Sequence, residues 1–394
     1  MATLSALVFD AKSPIVVGAM TLTARAVLLA RRAGFDRVAT AGTELPPLEH
    51  TANGDAMVVV GPNVLFEPAV LNDLARIGRD RGQTPTVTYE SGVPLLLYIP
   101  SGAVAAVRAC RSLDAMVTSL SSHGTVAELA LPARFCRRAD PAQSLSLLES
   151  AYIRHLNGGA DESFFTKQIR RFSVPLTRRL VRLGATPTQV TLGGLVLAVA
   201  SAWCVARGSY GAGILGGILY YTSMVFDCSD GEVARLTVRD SAFGAWLETF
   251  VDYVTYFLLL AGLTVASQSR AGADTARAAT AIALVGSVFV AAVAGYLRQR
   301  VAAADPGQFD DASAKALASA GLLHRFARWG RQWIKRSTIA HLVLALALVN
   351  QLPLLLYVWA FGATVAAIVI LAVGPLVIRR VTVAPPTVRR IGGV

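Results

Sequence analysis

Two regimes of hydrophobic and polar patterning meet near residue 187. Up to residue 186 charged residues occur at ordinary density, and short apolar runs alternate with amphipathic stretches. Ala56–Val60, Thr86–Tyr89 and Pro94–Ile99 have the length and β-rich character of strands. Leu22–Ala33 and Ala69–Arg79 repeat their apolar positions at helical spacing. That alternation predicts an α/β layer around a parallel or mixed sheet. From 187 to 378 the apolar runs reach membrane-spanning length. Six transmembrane helices are expected, near 188–206, 212–232, 244–267, 278–297, 338–353 and 355–378. The Asn350–Pro353 break alone parts the last two, so a five-span count stays open.

Two further segments, 163–183 and Ala312–Lys335, mix apolar and basic residues at roughly helical spacing and should lie along the membrane interface. The expected organisation is a soluble α/β domain at 1–145, then a linker and interfacial helix at 146–186. An all-α polytopic membrane domain follows at 187–380, with a tail at 381–394. The linker from Asp140 to Asp161, containing Gly-Gly-Ala-Asp, is the expected hinge.

Composition supports this frame. A chain of 394 residues with mean hydropathy +0.52 and 16% charged residues is too apolar for an ordinary soluble protein. The net charge of +12 clusters near membrane ends, where it suits anionic headgroups. No nucleic-acid recognition motif accompanies it. Loop 298–337 and the tail hold most of the basic residues of the apolar half, Arg336 among them, so both termini are expected on the cytoplasmic side of the cell (inner) membrane. Met1–Ala11 lacks a basic secretory n-region. Cys110, Cys136, Cys204 and Cys228 show no zinc-type pairing, and no disulfides are expected.

The chemistry concentrates between Asp227 and Asp252, which reads DCSDGEVARLTVRDSAFGAWLETFVD. Asp227, Asp230, Glu248 and Asp252 lie on or beside segments of membrane-spanning character, where a carboxylate is costly and marks function. Unpaired, four converging acids would repel one another and protonate, so a metal ion is expected among them. A helix over 212–234 would put Asp227, Asp230, Gly231, Ala234 and Arg235 on one face. A second helix from about Gly244 would carry Glu248 and Asp252 one turn apart. Oxygen ligands suit Mg²⁺ or Mn²⁺, Gly231 and Ala234 leave room for a ligand, and Arg235 offers a planar fork for phosphate. Together they describe a diphosphate site.

The spacing Asp-x2-Asp-Gly-x2-Ala-Arg-x8-Gly-x3-acid-x3-Asp resembles the signature of the CDP-alcohol phosphotransferases. The resemblance implies transfer of a substituted phosphate from a CDP-alcohol to an acceptor hydroxyl, with release of CMP. By the same resemblance Asp227, Asp230 and Glu248 hold one or two metal ions and Asp252 is the general base. Gly231, Ala234 and Arg235 line a cytidine diphosphate pocket, with Gly244 at the turn into the next helix. Glu248 departs from the family, which usually has aspartate there. Glutamate is a legitimate ligand that alters the metal geometry. Lys167, Arg170 and Arg171 are candidates for an acceptor phosphate, beside a plainer role facing headgroups. Gly213, Gly216 and Gly217 allow close helix contact, and the family commonly forms homodimers.

The N-terminal segments TARAVLLARRAGFDRVAT and VVVGPNVLFEPAVLNDLA resemble parts of sugar-phosphate nucleotidyltransferases. Where those enzymes have a glycine-rich loop ending in arginine and lysine, this chain has FDAKSPIVVGAMTLTAR. Where they place a metal-binding aspartate, it has Gly61-Pro62-Asn63. A degenerate, non-catalytic domain is therefore expected, although Lys12 and Asp55 could serve a rearranged site. The reading is a metal-dependent CDP-alcohol phosphotransferase in phospholipid or inositol-phosphodiester synthesis. Its rivals are a catalytically inactive relative, a membrane scaffold or a transporter.

Overall fold

The computed structural model describes residues 4–9, 15–35, 37–41, 56–81, 84–130, 134–140, 145–157, 163–300 and 336–383. Lys12, Asp55, the amphipathic stretch Ala312–Lys335, nearly all of the basic loop 298–337 and residues 384–394 of the tail lie outside these. The chain forms two compact units. The first takes residues up to 161 together with Arg171–Gln189 and Ser229–Gly244, and the second takes the remainder.

In chain order the N-terminal region runs β1 (Leu4–Phe9), β2 (Val16–Val17), β3 (Met20–Thr21), α1 (Leu22–Arg32), β4 (Arg37–Ala41), β5 (Ala56–Val60) and β6 (Val64–Phe66). It continues through α2 (Ala69–Asp80), β7 (Thr86–Glu90), β8 (Val93–Ile99), α3 (Val104–Val107), α4 (Leu113–His123), β9 (Ala127–Glu128), β10 (Cys136–Arg138) and α5 (Leu145–Asn157). Six strands form one mixed sheet in the order β4-β1-β5-β8-β7-β9. β1 pairs in parallel with β4 and β5, while β8 runs antiparallel to β5 and β7.

Both faces of this sheet are covered, which is why its strands read as unbroken apolar runs rather than alternating ones. Ala6 and Val8 of β1 point into a core with Leu29 of α1 and Leu71 and Leu74 of α2. Their neighbours Leu7 and Phe9 point into the opposite core with Val107, Leu113, Met116 and Leu120. A Cβ on Gly78 of α2 would come within 2.3 Å of the Tyr98 ring, so only glycine lets that helix lie on β8. The stretch expected as a hinge is mostly ordered helix: Tyr152 and Ile153 of α5 are buried. Residues 141–144 and 158–161 of that stretch, with its Gly-Gly-Ala-Asp, lie outside the described residues. Thus the expected α/β layer is present. At Asn63, where a nucleotidyltransferase would place its aspartate, the side chain accepts the Ile15 N–H at 3.3 Å.

The second region is helical: α6 (Phe164–Arg182), α7 (Pro187–Ala206), α8 (Tyr210–Thr237), α9 (Ala242–Ala271), α10 (Ala273–Arg300), α11 (Arg336–Leu348) and α12 (Leu354–Val383). Among the described residues four helices are long and apolar enough to cross a membrane, at Pro187–Ala206, Ala242–Ala271, Ala273–Leu297 and Leu354–Leu371. Six crossings were expected. α11, with 13 residues, reaches only about 20 Å, short of a hydrocarbon core of about 30 Å. α11 and α12 are separate helices, because Asn350 takes a left-handed turn whose carbonyl accepts from Arg270 at 2.8 Å.

Small residues bring these helices together. A Cβ on Gly216 would lie 2.8 Å from Val205 of α7, and one on Gly217 would lie 3.0 Å from Ala347 of α11. Gly216 and Gly217 thus serve packing inside the chain, whereas a Cβ on Gly213 would meet only the Leu352 side chain, at 3.9 Å. Gly262 meets the Ala202 backbone, and Gly286 meets Ala363.

Candidate active site

α8 is unbroken from Tyr210 to Thr237, so Asp227, Asp230, Gly231, Ala234 and Arg235 share one helical face, as their spacing requires. α9 begins at Ala242, two residues before the expected start, because the Ser241 hydroxyl accepts the Gly244 N–H at 3.0 Å. Gly244 therefore sits within the first turn of α9 rather than in the turn before it. Glu248 and Asp252 follow on that helix, one turn apart.

Within the second unit, two of the acids meet. Arg336, the first residue of α11, places Nη1 3.1 Å from Asp227 Oδ1, and the same nitrogen holds Asp252 Oδ2. Its guanidinium carbon lies 5.6 Å from the Tyr256 ring centre. Arg336 is held there by its neighbour: the Ser337 hydroxyl bonds Thr166 at 2.9 Å at the start of α6. Phe165 and Tyr221 pack on His341 one turn further along. Around this ion-paired core, Asp252 Oδ1 and Arg336 Nε are buried without hydrogen-bond partners. Among the described residues these two atoms have no partner, and a buried polar atom of this kind calls for a water, an ion or a polar ligand.

Two carboxylates from different helices meeting at one positive point suit a hard divalent cation as well as a guanidinium. Asp227 and Asp252 fit such an ion, and the unmet Asp252 oxygen offers it a further lone pair. Yet among the described residues no three histidine, cysteine, aspartate or glutamate side chains gather into a metal-binding group. Glu248 is half-buried on α9. Lys167 is exposed and Arg170 half-buried on the first turns of α6.

Within the first unit, Asp230 is buried and its Oδ1 accepts the Gly231 N–H at 2.6 Å. Arg235 is exposed and donates through Nη2 to Asn157 Oδ1 at 2.6 Å. A Cβ on Gly231 would lie 3.2 Å from that guanidinium, so glycine clears its path along the helix. Arg171 is exposed on α6.

Two groups escaped sequence reasoning. Arg336 passed for one of many interfacial cations, and nothing in its local sequence sets it apart. Glu232 sits at a variable position of the motif yet is almost fully buried. Its carboxylate accepts from Ser173 Oγ at 2.8 Å, Thr177 Oγ1 at 2.7 Å and Asn157 Nδ2 at 2.9 Å. A signal was present: Ser173 and Thr177 stand one turn apart on a helix whose remaining residues are, apart from Thr166 and Gln168, apolar or basic.

The chain has recognisable relatives. A bifunctional IPC transferase and DIPP synthase of Aquifex aeolicus is 29% identical over 132 residues, covering 33% of this chain and 30% of the relative. An archaetidylinositol phosphate synthase of Methanothermobacter thermautotrophicus is 34% identical over 103 residues, covering 25% and 48%. A bifunctional IPC transferase and DIPP synthase of Thermococcus kodakarensis is 29% identical over 130 residues, covering 32% and 29%. The chain thus spans less than half the length of each curated relative. Residues 185–374, which hold α7 to α11, both motif helices and Arg336, match the CDP-alcohol phosphatidyltransferase family.

Proposed function

We propose that the protein transfers a substituted phosphate from a CDP-alcohol to an acceptor alcohol and releases CMP, at the cytoplasmic face of the cell (inner) membrane. The observation that carries this reading is the meeting of Asp227 and Asp252 at Arg336 within the matched domain. The acceptor oxygen forms a bond to the phosphorus that bears the alcohol, and the bond from that phosphorus to CMP breaks. Asp252 takes the hydroxyl proton, and its unmet Oδ1 is the atom available for it. Arg336 holds Asp252 in place and offers its unmet Nε to an anionic oxygen of either substrate.

Asp227, Asp230, Glu248 and Asp252 are the residues that would hold Mg²⁺ or Mn²⁺. The ion would neutralise the diphosphate and stabilise the departing CMP. Gly231, Ala234, Arg235 and Gly244 belong to the cytidine diphosphate pocket, and Lys167, Arg170 and Arg171 are kept as candidates for an acceptor phosphate. An inositol-phosphate acceptor is favoured, because one relative is an archaetidylinositol phosphate synthase. The N-terminal α/β domain is read as non-catalytic, and the six-span arrangement belongs to this proposal too.

Purified protein in liposomes with Mg²⁺ or Mn²⁺ would be given CDP-diacylglycerol or CDP-inositol with inositol, inositol phosphate, glycerol phosphate or lipid alcohols. Mass spectrometry then identifies the product. An inositol-phosphate-containing phosphodiester is expected. Absence of any product across the panel would favour an inactive relative, with Glu248 the first suspect.

A further inference from the structure

We propose that Asn157, at the end of the N-terminal domain's last helix, is a positioning residue for Arg235, so that the α/β domain sets the nucleotide affinity of the motif helix. This rests on the reading of Arg235 as a ligand of the cytidine diphosphate.

The argument begins with how the first unit is assembled. The segment Ser229–Gly244 belongs to the same compact unit as the N-terminal residues. Arg25 of α1 is only 2% exposed, an unusual burial for arginine. One guanidinium nitrogen donates to the Leu236 carbonyl, and the other reaches the Arg235 carbonyl at 3.3 Å and the Tyr152 hydroxyl at 2.7 Å. These carbonyls belong to the last turn of α8, whose C-terminal oxygens have no partner within the helix and carry the negative end of its dipole. Arg25 of α1 therefore caps the end of the motif helix within the same unit. Gly18 makes the approach close: a Cβ there would lie 2.2 Å from the Leu236 oxygen, and its positive φ favours glycine.

Asn157 acts at the side-chain level. Its amide is used at both ends at once, the oxygen accepting from Arg235 and the nitrogen donating to Glu232. A primary amide is the group that can do both. Glu232 is in turn fixed by Ser173 and Thr177 of α6. The chain Ser173/Thr177–Glu232–Asn157–Arg235 decides which way the Asn157 amide faces, and hence where an exposed guanidinium stands. An exposed arginine otherwise samples many rotamers, and fixing one beforehand lowers the entropic cost of gripping a diphosphate.

The test exchanges the polarity of this chain. Asn157→Ala should raise the KM for the CDP-alcohol about tenfold with kcat within about twofold, the scale expected for one charge-assisted hydrogen bond. Asn157→Asp keeps the acceptor for Arg235 but sets a carboxylate against Glu232, and should be worse. Adding Glu232→Gln restores a donor facing the new acceptor, and the double variant Asn157→Asp/Glu232→Gln should recover most of the wild-type KM. Hydrogen exchange over residues 229–240, read without substrate, should rise in Asn157→Asp and return in the double variant. An unchanged KM in Asn157→Ala, or a double variant no better than Asn157→Asp, overturns the proposal. If the variants change exchange as expected but the wild-type protein shows no turnover, the phosphotransferase reading is refuted, and the influence of Asn157 on nucleotide affinity with it.

Discussion

Arg336 Nη1 stands 3.1 Å from Asp227 Oδ1, joining residues more than a hundred positions apart at the point where Asp252 also arrives. The contact gives the acids a fixed counter-charge, and that makes Arg336 the first residue to vary. Removing the guanidinium leaves two partly buried carboxylates facing each other, which is strongly unfavourable. Arg336→Gln should lower kcat/KM at least about tenfold. Arg336→Lys should recover part of it, since a lysine restores charge without the planar fork. Steady-state CMP release in liposomes checks both; equal activity of Arg336→Gln and wild type would remove Arg336 from the site.

Glu248 yields a graded prediction. Shortening it to aspartate keeps the oxygen ligand, so Glu248→Asp should retain activity and shift the preferred metal concentration. Glu248→Gln removes the charge and should cost roughly 10–100-fold at fixed Mg²⁺ or Mn²⁺. Titration of activity with each metal distinguishes the two, and indifference to both substitutions would argue against any metal role.

The cap supplied by Arg25 predicts a stability effect. Arg25→Met keeps much of the apolar stem but removes the donor from the Leu236 carbonyl and leaves the Arg235 carbonyl only the Val238 N–H at 3.4 Å. A loss of about 3 kcal/mol is expected from charge-assisted hydrogen bonds of this kind. Thermal unfolding in detergent measures it. A midpoint equal to that of the wild type would show that the last turn of α8 needs no such cap.

Cys136 gives a pH prediction outside the membrane region. Burial first, and the negative charge of Glu90 second, push its thiol up to about 12. Unfolded, it would ionise near the usual thiol value of about 8.5. The native state therefore holds the proton longer, and this contribution to stability is complete below about pH 8.5 and is lost as pH rises toward 12. Alkylation at pH 8.5 followed by mass spectrometry should find Cys136 protected in folded protein and modified in denaturant. Rapid modification of the folded form would contradict this.

Local patterns were legible and distant pairings were not. Strands β5, β7 and β8 follow from their apolar runs, and the shared face of α8 follows from the spacing of its acids, because each depends on neighbours within a few turns. β1, covered on both faces, has no alternation to betray it. Tyr152 of α5, inside the stretch expected as a hinge, is buried against Arg25 and Phe66, partners far along the chain. Arg336, Glu232 and Arg25 owe their roles to partners far along the chain, which no local pattern encodes. The membrane-spanning character of α7, α9, α10 and α12 was readable from length and apolarity. The spans expected at 212–232 and 338–353 fall on α8 and α11, which are not among the four helices long and apolar enough to cross, since one carries the acids and the other is short.

The most direct measurement is CMP release by wild-type protein beside Asp252→Asn, with Mg²⁺ or Mn²⁺ and a CDP-alcohol supplied with its acceptor. Metal-dependent release that falls about 10²- to 10⁴-fold in Asp252→Asn, with the unfolding midpoint retained, is the predicted result. Release that survives the substitution unchanged would contradict the assignment of Asp252 as the base.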